Sequence, residues 1–404
     1  MSFLLYTEVV NVEYKKKLEK NIGKYSWFKI FTKRVYLPLI AIQLVNEGGV
    51  TVQQLAIIGV VTSVVQLVLQ LPTGYIADKW GNKHAIVLGT TISALAPLFY
   101  IFMPNFWGGL IAASLFFGGF SFQSGAIEAF IHDTLIALKK DHLYAKIMGR
   151  AQSYGLVGNV VLIAAVPATY AINKNLPFLI GALCSAVMIF LALSFEYPKT
   201  KSKKRHKMSS FNAVKSIVTL QNIVLFLFAG FVTGIVHRGG EYRELVLQDL
   251  GVAVALFGVL LSVSSLLGAA MGLFTGRLDK LKPSRFYLFD LLFITTCLIM
   301  VSTKNVPVVI VGFTLFLAYS RVRLIVFQAK LLTQIKHAYK ATLMSALSLF
   351  TLIGEISAIT VLAYMINLTD FSKGYFYFAI YTLIIGMMLW LGIVIESKRL
   401  KYRK

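Results

Sequence analysis

Charge is what this chain has least of. Only 14% of its 404 residues are Asp, Glu, Lys or Arg, against about 25% in an average soluble domain. Acids are scarcest: 17 Asp and Glu stand against 40 Lys and Arg. A surface so poor in charge excludes an ordinary soluble globular domain. Cysteine is nearly absent too. Cys184 and Cys297 are the two, both inside apolar runs and neither in a metal-ligand spacing, so no disulfide framework follows. No Gly-x-x-x-x-Gly-Lys-Ser/Thr phosphate loop is present, so ATP does not drive work through this chain. No catalytic-triad spacing and no metal-ligand cluster appears either. We therefore expect no enzyme, no cofactor and no metal. Residues 1–24 mix acids with lysines and lack a small-residue cleavage site behind an apolar core. No cleavable signal is expected, and the first span would serve as its own insertion signal.

What is present is hydrophobic. Apolar residues make up 57% of the chain and mean hydropathy is +0.73. Apolar runs of bilayer length, about 20 residues each, recur along it. Lipid offers no hydrogen bonds, so each span must satisfy its own backbone as a helix. The expected class is an all-α membrane protein with 12 transmembrane helices. They lie near 25–46, 51–76, 84–103, 107–135, 150–172, 176–196, 220–248, 252–275, 286–303, 306–328, 341–366 and 374–395. Residues 1–24 carry Lys15, Lys16, Lys17, Lys20 and Lys24 and read as a basic amphipathic tail on the membrane surface or a solvated one. The basic stretch 197–218 reads as a linker between an N-terminal six-helix bundle, 25–196, and a C-terminal one, 219–395. A basic tail, 396–404, closes the chain.

The net charge of +23 would point to nucleic acid on a soluble chain. Here topology explains it. Roughly 30 of the basic residues fall in the tails and even-numbered loops and about 3 in the odd-numbered loops, a strong positive-inside bias. Both termini are expected in the cytoplasm of a bacterial cell, and the protein in its cytoplasmic membrane as a monomer.

Between spans 2 and 3 lies Leu71-Pro-Thr-Gly-Tyr-Ile-Ala-Asp-Lys-Trp-Gly-Asn-Lys83, expected to be a short polar turn. A fainter copy lies further on. Asn46-Glu-Gly-Gly-Val50 at the end of span 1 matches Gln248-Asp-Leu-Gly-Val252 at the end of span 7, and Ala77-Asp78-Lys79 matches Leu278-Asp279-Lys280. Two matches at nearly one offset indicate a duplicated chain. Halves in the same order imply parallel repeats about the membrane normal, with a substrate site near the midplane.

At these residues the chain resembles the major facilitator superfamily. That family's loop between helices 2 and 3 reads Gly-x-x-x-Asp-Arg/Lys-x-Gly-Arg/Lys-Arg/Lys. Here Gly74, Asp78, Lys79, Gly81 and Lys83 match, and Asn82 stands where a base is usual. Pro72-Thr73, His84 and the acid-bearing end of span 4 fit a bacterial multidrug- or metabolite-exporter-like subgroup. Span 5 has Gly149, Gly155 and Gly158 but lacks the Gly-Pro of the family's drug–proton antiporters. The resemblance implies two pseudo-symmetric six-helix bundles, helices 1 and 7 lining the cavity, and an acid such as Asp133 joined in a charge relay with the helix 2–3 loop.

Charges inside spans are costly and mark candidate functional residues. Arg34 falls about 18 Å from the far end of span 1, near the midplane of an apolar core about 30 Å thick, and Arg238 lies at a similar depth in span 7. In span 4, Ser121, Gly125, Glu128 and His132 recur on one helical face, expected to face the protein interior. Glu128 is a candidate proton-coupling acid, with Arg34 or His132 as neighbours, and His132 a candidate relay. Asp133, about 140° round the helix from Glu128, is better placed to brace the loop near Asp78. Arg238 and Glu241, three apart, can pair, and Gly239-Gly240 between them permits a bend. Arg321 and Arg323 lie about 200° apart on span 10, so one faces the cavity and the other a neighbouring helix. Glu355 reads either as counter-ion to one of these arginines or as a second proton-coupling acid.

The expected cavity therefore holds Arg34, Arg238, Glu241, Arg321 and Arg323, the coupling set Glu128, Glu355 and His132, and the gate Gly74, Asp78, Lys79, Gly81, Lys83, Asp133 and Asp279. Arginines outnumber acids in this count. Such a cavity suits an anionic or zwitterionic substrate. The expected function is secondary active transport of a small organic molecule, as proton-coupled efflux. Uptake or exchange of an anionic metabolite is the alternative, and a receptor that kept the fold but not the transport is a third.

Overall fold

A computed structural model describes residues 2–198, 220–333 and 340–402. The described residues form helices and connecting turns, with no strand among them. The first compact unit comprises residues 1–48 and 65–205, and the second 49–64 and 206–404.

The first unit contains α1 (Ser2–Phe31), α2 (Ile40–Gly48), the later part of α3 (Val52–Trp80), α4 (Asn82–Ala94), α5 (Ala96–Phe102), α6 (Phe106–Ala137), α7 (Tyr144–Ala165) and α8 (Leu176–Ser194). Its tightest pairing is α4 against α6. A Cβ on Gly89 would stand 2.5 Å from the Gly119 carbonyl oxygen, so these backbones approach as only glycine allows. Tyr25, Phe28, Phe130 and Phe195 make the aromatic part of the core that α1 and α6 share.

The second unit contains the first part of α3 with α9 (Leu220–Arg238), α10 (Arg243–Asp249), α11 (Phe257–Met271), α12 (Thr275–Asp279), α13 (Pro283–Val301), α14 (Val306–Thr333), α15 (Lys340–Leu368) and α16 (Phe371–Tyr402). The close pair here is α9 against α15, where a Cβ on Gly354 would meet the Gly230 carbonyl oxygen at 2.1 Å.

Ten helical stretches among the described residues are long and apolar enough to cross a membrane, and α9 with α10 makes an eleventh across a 45° bend. The protein is a multi-pass membrane protein. The expected first span does not qualify because its helix is interrupted. α1 stops at Phe31, Thr32–Tyr36 run without regular helix, and a short turn at Leu37–Leu39 leads into α2. Pro38 sits at the start of that short turn, where its missing N–H is tolerated, and it disfavours helix at Leu37 and removes the bond to the Arg34 carbonyl; the stop at Phe31 lies beyond its reach. The bend expected at Gly239-Gly240 is present between α9 and α10.

Two further expectations change. Residues 2–24 are helical and continuous with α1, and part of this stretch is docked rather than free. Asn21 Nδ2 donates to the Glu196 carbonyl at 2.8 Å, and the Glu196 N–H returns a bond to Asn21 Oδ1 at 2.9 Å. Lys24 reaches the Ser194 carbonyl, and Lys140 pairs with Glu19 at 2.6 Å. The expected turn at 71–83 is far shorter than its polar sequence implied. α3 continues to Trp80 and α4 begins at Asn82, leaving Gly81 alone between them. Gly81 adopts φ 90°, open to glycine and rare for other residues. Its N–H still reaches the Ala77 carbonyl at 2.9 Å. The linker 199–219 and residues 334–339 lie outside the described residues.

Candidate functional site

The segments expected as spans 1 and 7 each carry an arginine, and both are broken. Arg34 stands inside the first break and Arg238 at the edge of the second. A further pair of related positions follows each break: Gly49 at φ 61° and Gly251 at φ 78°, both in the left-handed region.

Around the first break, the Arg34 guanidinium carbon sits 4.2 Å from the centre of the Phe116 ring and 5.1 Å from that of Phe117. Both rings belong to α6. Among the described residues no carboxylate pairs with Arg34, and the Val35 and Tyr36 N–H groups find no backbone acceptor. A cleft opens beside it within the first unit, walled by Lys33, Arg34, Phe116, Phe120, Gln123 and Ser185 among others. Gln123 Nε2 is held by Ser93 Oγ at 3.0 Å. Irregular backbone at membrane depth is tolerated where it lines a cavity or is buried in protein, and Thr32, Lys33, Arg34 and Tyr36 line this one.

Around the second break both terminal nitrogens of the arginine are engaged, while its Nε is buried without a partner among the described residues. Arg238 donates through Nη1 to Glu241 Oε2 at 3.2 Å, and through Nη2 to Glu355 Oε2 at 3.0 Å, to the Gly59 carbonyl at 3.2 Å and to Ser63 Oγ. Ser63 in turn donates to Glu355 Oε2 at 2.7 Å. His237 Nδ1 lies 2.7 Å from Glu355 Oε1. Glu355 therefore gathers a histidine, an arginine and a hydroxyl around one carboxylate. Its expected pairing with Arg321 or Arg323 is not what forms. The reason is packing: α15 lies against α9 with Gly354 at the contact, which delivers Glu355 to Arg238.

Arg323 is fully buried and paired with Asp290. Its Nε reaches the two carboxylate oxygens at 2.9 and 2.8 Å, and its Nη1 donates to Thr233 Oγ1 at 3.1 Å. Tyr319 adds a hydroxyl to Asp290 at 3.0 Å. Arg321, on the opposite face, is exposed and donates to Ser265 Oγ at 2.9 Å, with no carboxylate partner among the described residues. The expectation that the two arginines face different ways holds. Sequence reasoning missed Asp290, although an acid inside Phe286-Tyr-Leu-Phe-Asp290 was itself a signal. It also missed Ser63 as a partner and the buried Arg243–Glu244 pair. With these counted, Arg238, Arg243 and Arg323 are neutralised by acids, and among the described residues Arg34 and Arg321 have no carboxylate partner.

The polar stripe of α6 divides: Ser121 is buried and donates to the Phe117 carbonyl at 2.9 Å, whereas Gly125, Glu128 and His132 are exposed. The buried face is taken by Ala126, Ile127, Phe130 and Ile131, which pack as core. Glu128 lies within electrostatic reach of Lys29, Tyr25 and Tyr144, and His132 meets the Tyr144 ring edge-on at 5.2 Å. In the loop motif, Asp133 Oδ2 accepts from Asn82 Nδ2 at 3.2 Å. The one position where this motif departs from its usual pattern thus supplies a neutral partner to Asp133. Lys79 is exposed and Lys83 half-buried. The side chain of Asp78 and the surroundings of Gly74 lie outside the described residues. In the second copy, Lys330 is buried, donates to the carbonyls of Asp279 and Leu281 at 2.8 and 2.7 Å, and lies 3.6 Å from the Asp279 carboxylate.

Comparison with known proteins agrees with this architecture. The family model of the Major Facilitator Superfamily matches residues 26–320. The chain belongs to that superfamily. Over 239 residues it is 20% identical to an uncharacterized transporter of the same type, YxaM of Bacillus subtilis (strain 168), covering 56% of this chain and 58% of that protein. Over 216 residues it is 26% identical to the lactose permease of Citrobacter freundii, covering 50% of each. The chain thus spans about half the length of the curated relatives it matches. Among solved structures, a mutant of the nucleoside transporter NupG superposes with a TM-score of 0.79 at 12% identity, covering 93% of this chain and 99% of that one. At that identity the likeness speaks for the fold alone. Family and fold together support a membrane transporter.

Proposed function

We propose that the protein is a secondary active transporter of a small amphipathic organic anion or zwitterion, working by alternating access as a proton-coupled exporter in a bacterial cytoplasmic membrane. In this reading the end of α1 and α2 together form a broken first span. That completes twelve spans in two six-helix bundles, 25–196 and 219–395, with both termini cytoplasmic and the protein acting as a monomer.

One observation carries the substrate class. Arg34 stands at a helix break, stacked on Phe116, with no carboxylate partner among the described residues. A cation at membrane depth is expensive. One left without an acid, beside a cleft, is poised for an anion that arrives with the substrate. Arg321 is a second cation of the same kind. Arg238 and Arg323, already neutralised, serve the protein's own acids and leave the substrate list. Glu355 is the acid we assign to proton coupling, because a proton on it would weaken its hold on Arg238 and His237. Glu128 is the second such acid, with His132 beside it as a relay. Asp133, with the loop motif at Gly74–Lys83, and Asp279, with Lys330, form the paired cytoplasmic gates.

The test is transport by the full chain in proteoliposomes with an imposed proton gradient. Accumulation of an organic anion that follows the gradient and is abolished in Glu355→Gln supports the reading. If Glu355→Gln and Glu128→Gln both leave gradient-driven accumulation intact, proton coupling at these acids is wrong. Movement that only equilibrates the substrate marks a facilitator instead.

A further inference from the structure

The last two helices leave a hollow open between them. Only Thr369 and Asp370 join α15 to α16, and beside that turn lies a hollow of about 390 Å³. Its walls are Tyr364, Met365 and Leu368 of α15 and Tyr377, Ile380 and Tyr381 of α16. Thr369 also lines it but spends its hydroxyl on the Met365 carbonyl at 2.7 Å. The Tyr381 hydroxyl is likewise engaged, with Ser357 at 2.6 Å. The walls are otherwise apolar. Of the ten helical stretches long and apolar enough to cross a membrane, α16 is the least buried, 22% against 50% for α13. On a membrane span such a side meets lipid tails, which are as apolar as leucine.

Three features mark this hollow as more than ordinary lipid-facing surface. Its length is one: from Asp370 to Tyr381 the helix rises about 16 Å, close to half of an apolar core about 30 Å thick. A hollow that begins at a span end and runs that far has the depth of one leaflet. Charge at its mouth is another. Lys373 stands one turn before Tyr377 on α16, is exposed, and has no ion-pair partner among the described residues. Asp370 caps the start of α16 by accepting from the Lys373 N–H at 2.7 Å, and it too pairs with no cation among the described residues. The third is tyrosine. The Tyr364 and Tyr377 hydroxyls have no partner among the described residues, and tyrosine at a membrane boundary sits at headgroup level.

We propose that the hollow between α15 and α16 binds one phospholipid with a zwitterionic headgroup. An acyl chain lies along Met365, Ile380 and the Tyr381 ring. The phosphate meets Lys373 and the headgroup amine meets Asp370. The Tyr364 and Tyr377 hydroxyls are left as donors for the ester carbonyls that follow the phosphate. The pair of charges selects the headgroup: a lysine alone suits any acidic lipid, whereas an acid beside it repels a headgroup that brings no cation. The site is independent of what the protein transports.

Native mass spectrometry of the full-length protein, delipidated in detergent, tests this. The probe is palmitoyl-oleoyl phosphatidylethanolamine, with palmitoyl-oleoyl phosphatidylglycerol as acidic competitor. One phosphatidylethanolamine should stay bound per chain, and phosphatidylglycerol at equal concentration should displace less than a quarter of it. Ile380→Trp fills the hollow and should lower retention at least fivefold. Met388→Trp puts the same bulk on an exposed position of α16 outside the hollow and should retain lipid as the wild type does, which separates a site from general lipid contact. Lys373→Gln, at an exposed side chain that folding does not need, should lower retention at least threefold. Asp370→Asn keeps a capping residue and should let phosphatidylglycerol compete on equal terms. Absence of a retained lipid, wild-type retention in Ile380→Trp or Lys373→Gln, or an equal loss in Ile380→Trp and Met388→Trp overturns the proposal. So does a wild-type preference for phosphatidylglycerol. So does a dimer that Ile380→Trp dissolves, since a second copy of the chain would then cover the hollow.

Discussion

The two helix breaks, at Thr32–Tyr36 and at Gly239–Tyr242, handle an arginine in opposite ways. At the second break, Arg238 is met by two carboxylates, a hydroxyl and a carbonyl. At the first, Arg34 is met by aromatic rings. The second unit extends its pattern to Arg323 with Asp290 and to Arg243 with Glu244. What differs is whether a charge is neutralised by the protein itself. A paired charge braces helices, and its loss is felt as lost stability. An unpaired one braces nothing and is kept at a cost that only a ligand offsets. Substitutions on the two sides should therefore separate stability from binding.

The largest loss of stability belongs to the most buried pair. Asp290→Asn leaves Arg323 charged and without a counter-ion where both side chains are essentially inaccessible. Breaking such a pair from one side costs about 3–5 kcal/mol. Asp290→Leu combined with Arg323→Met should recover most of that, since an apolar replacement of both partners is often neutral. Thermal unfolding of the purified protein in detergent reads both. A single variant as stable as the wild type would mean that Arg323 does not depend on Asp290, and the contrast between the units would weaken.

Next comes Glu355→Gln. The amide keeps the shape and one acceptor but removes the charge that Arg238 and His237 share. Arg238 keeps Glu241, so the loss is smaller, about 1.5–3 kcal/mol, the range for hydrogen bonds to charged groups. The same unfolding assay detects it, and Glu241→Gln should cost less still, because Glu241 is more exposed and makes one bond to Arg238 where Glu355 also binds Ser63 and His237. Equal losses at the two positions would contradict the central place given to Glu355.

How far the sequence carried these conclusions differs between the two breaks. Gly239-Gly240 announced the second, and the bend is there. The first is not announced: 25–46 reads as an unbroken span, because apolar length dominates the pattern. Arg34, Arg238, Arg321, Arg323, Glu128 and Glu355 were all legible as charges inside spans. Their partners were not. Glu355 reads from the sequence as a counter-ion to Arg321 or Arg323 or as a proton-coupling acid, whereas α15 packs on α9 and brings it to Arg238. Pairing follows which helices touch, and a single sequence does not state that. Asp290 was overlooked for a different reason: its apolar surroundings concealed an acid that a full count of intramembrane charges includes. The loop motif named the family correctly but overstated its own turn, since polar residues at a helix end can remain helical, as α3 does to Trp80.

Smaller effects probe the glycine that follows each break. Gly49 and Gly251 both hold positive φ, and a Cβ on either would meet nothing within 4 Å. Alanine there is penalised by conformation alone, about 1–2 kcal/mol for the left-handed region. Gly49→Ala and Gly251→Ala should thus cost similar amounts in unfolding experiments. A difference of more than about 1 kcal/mol between them would show that the two turns are not equivalent, because conformation at these positions predicts the same penalty.

The smallest change in stability, and the sharpest contrast, is expected at Arg34. Replacing it by Gln removes a cation–π contact, worth about 2 kcal/mol or more when desolvated. It also removes a charge that costs about 2.5–3.5 kcal/mol at the centre of a membrane helix. The two terms oppose each other and are of similar size, so Arg34→Gln should unfold at the wild-type temperature or slightly above it. The same kind of change at Arg238 should behave otherwise: Arg238→Gln takes the cation from Glu241 and leaves Glu355 to His237 and Ser63 alone, and it loses stability by several kcal/mol, as one-sided breaking of a buried pair does. If Arg34→Gln is destabilised as strongly as Arg238→Gln, then Arg34 has a structural partner after all, and the first break is a brace like the second. If it is not, the arginine is retained for something outside the folded chain, and an anion is the ligand whose charge it matches.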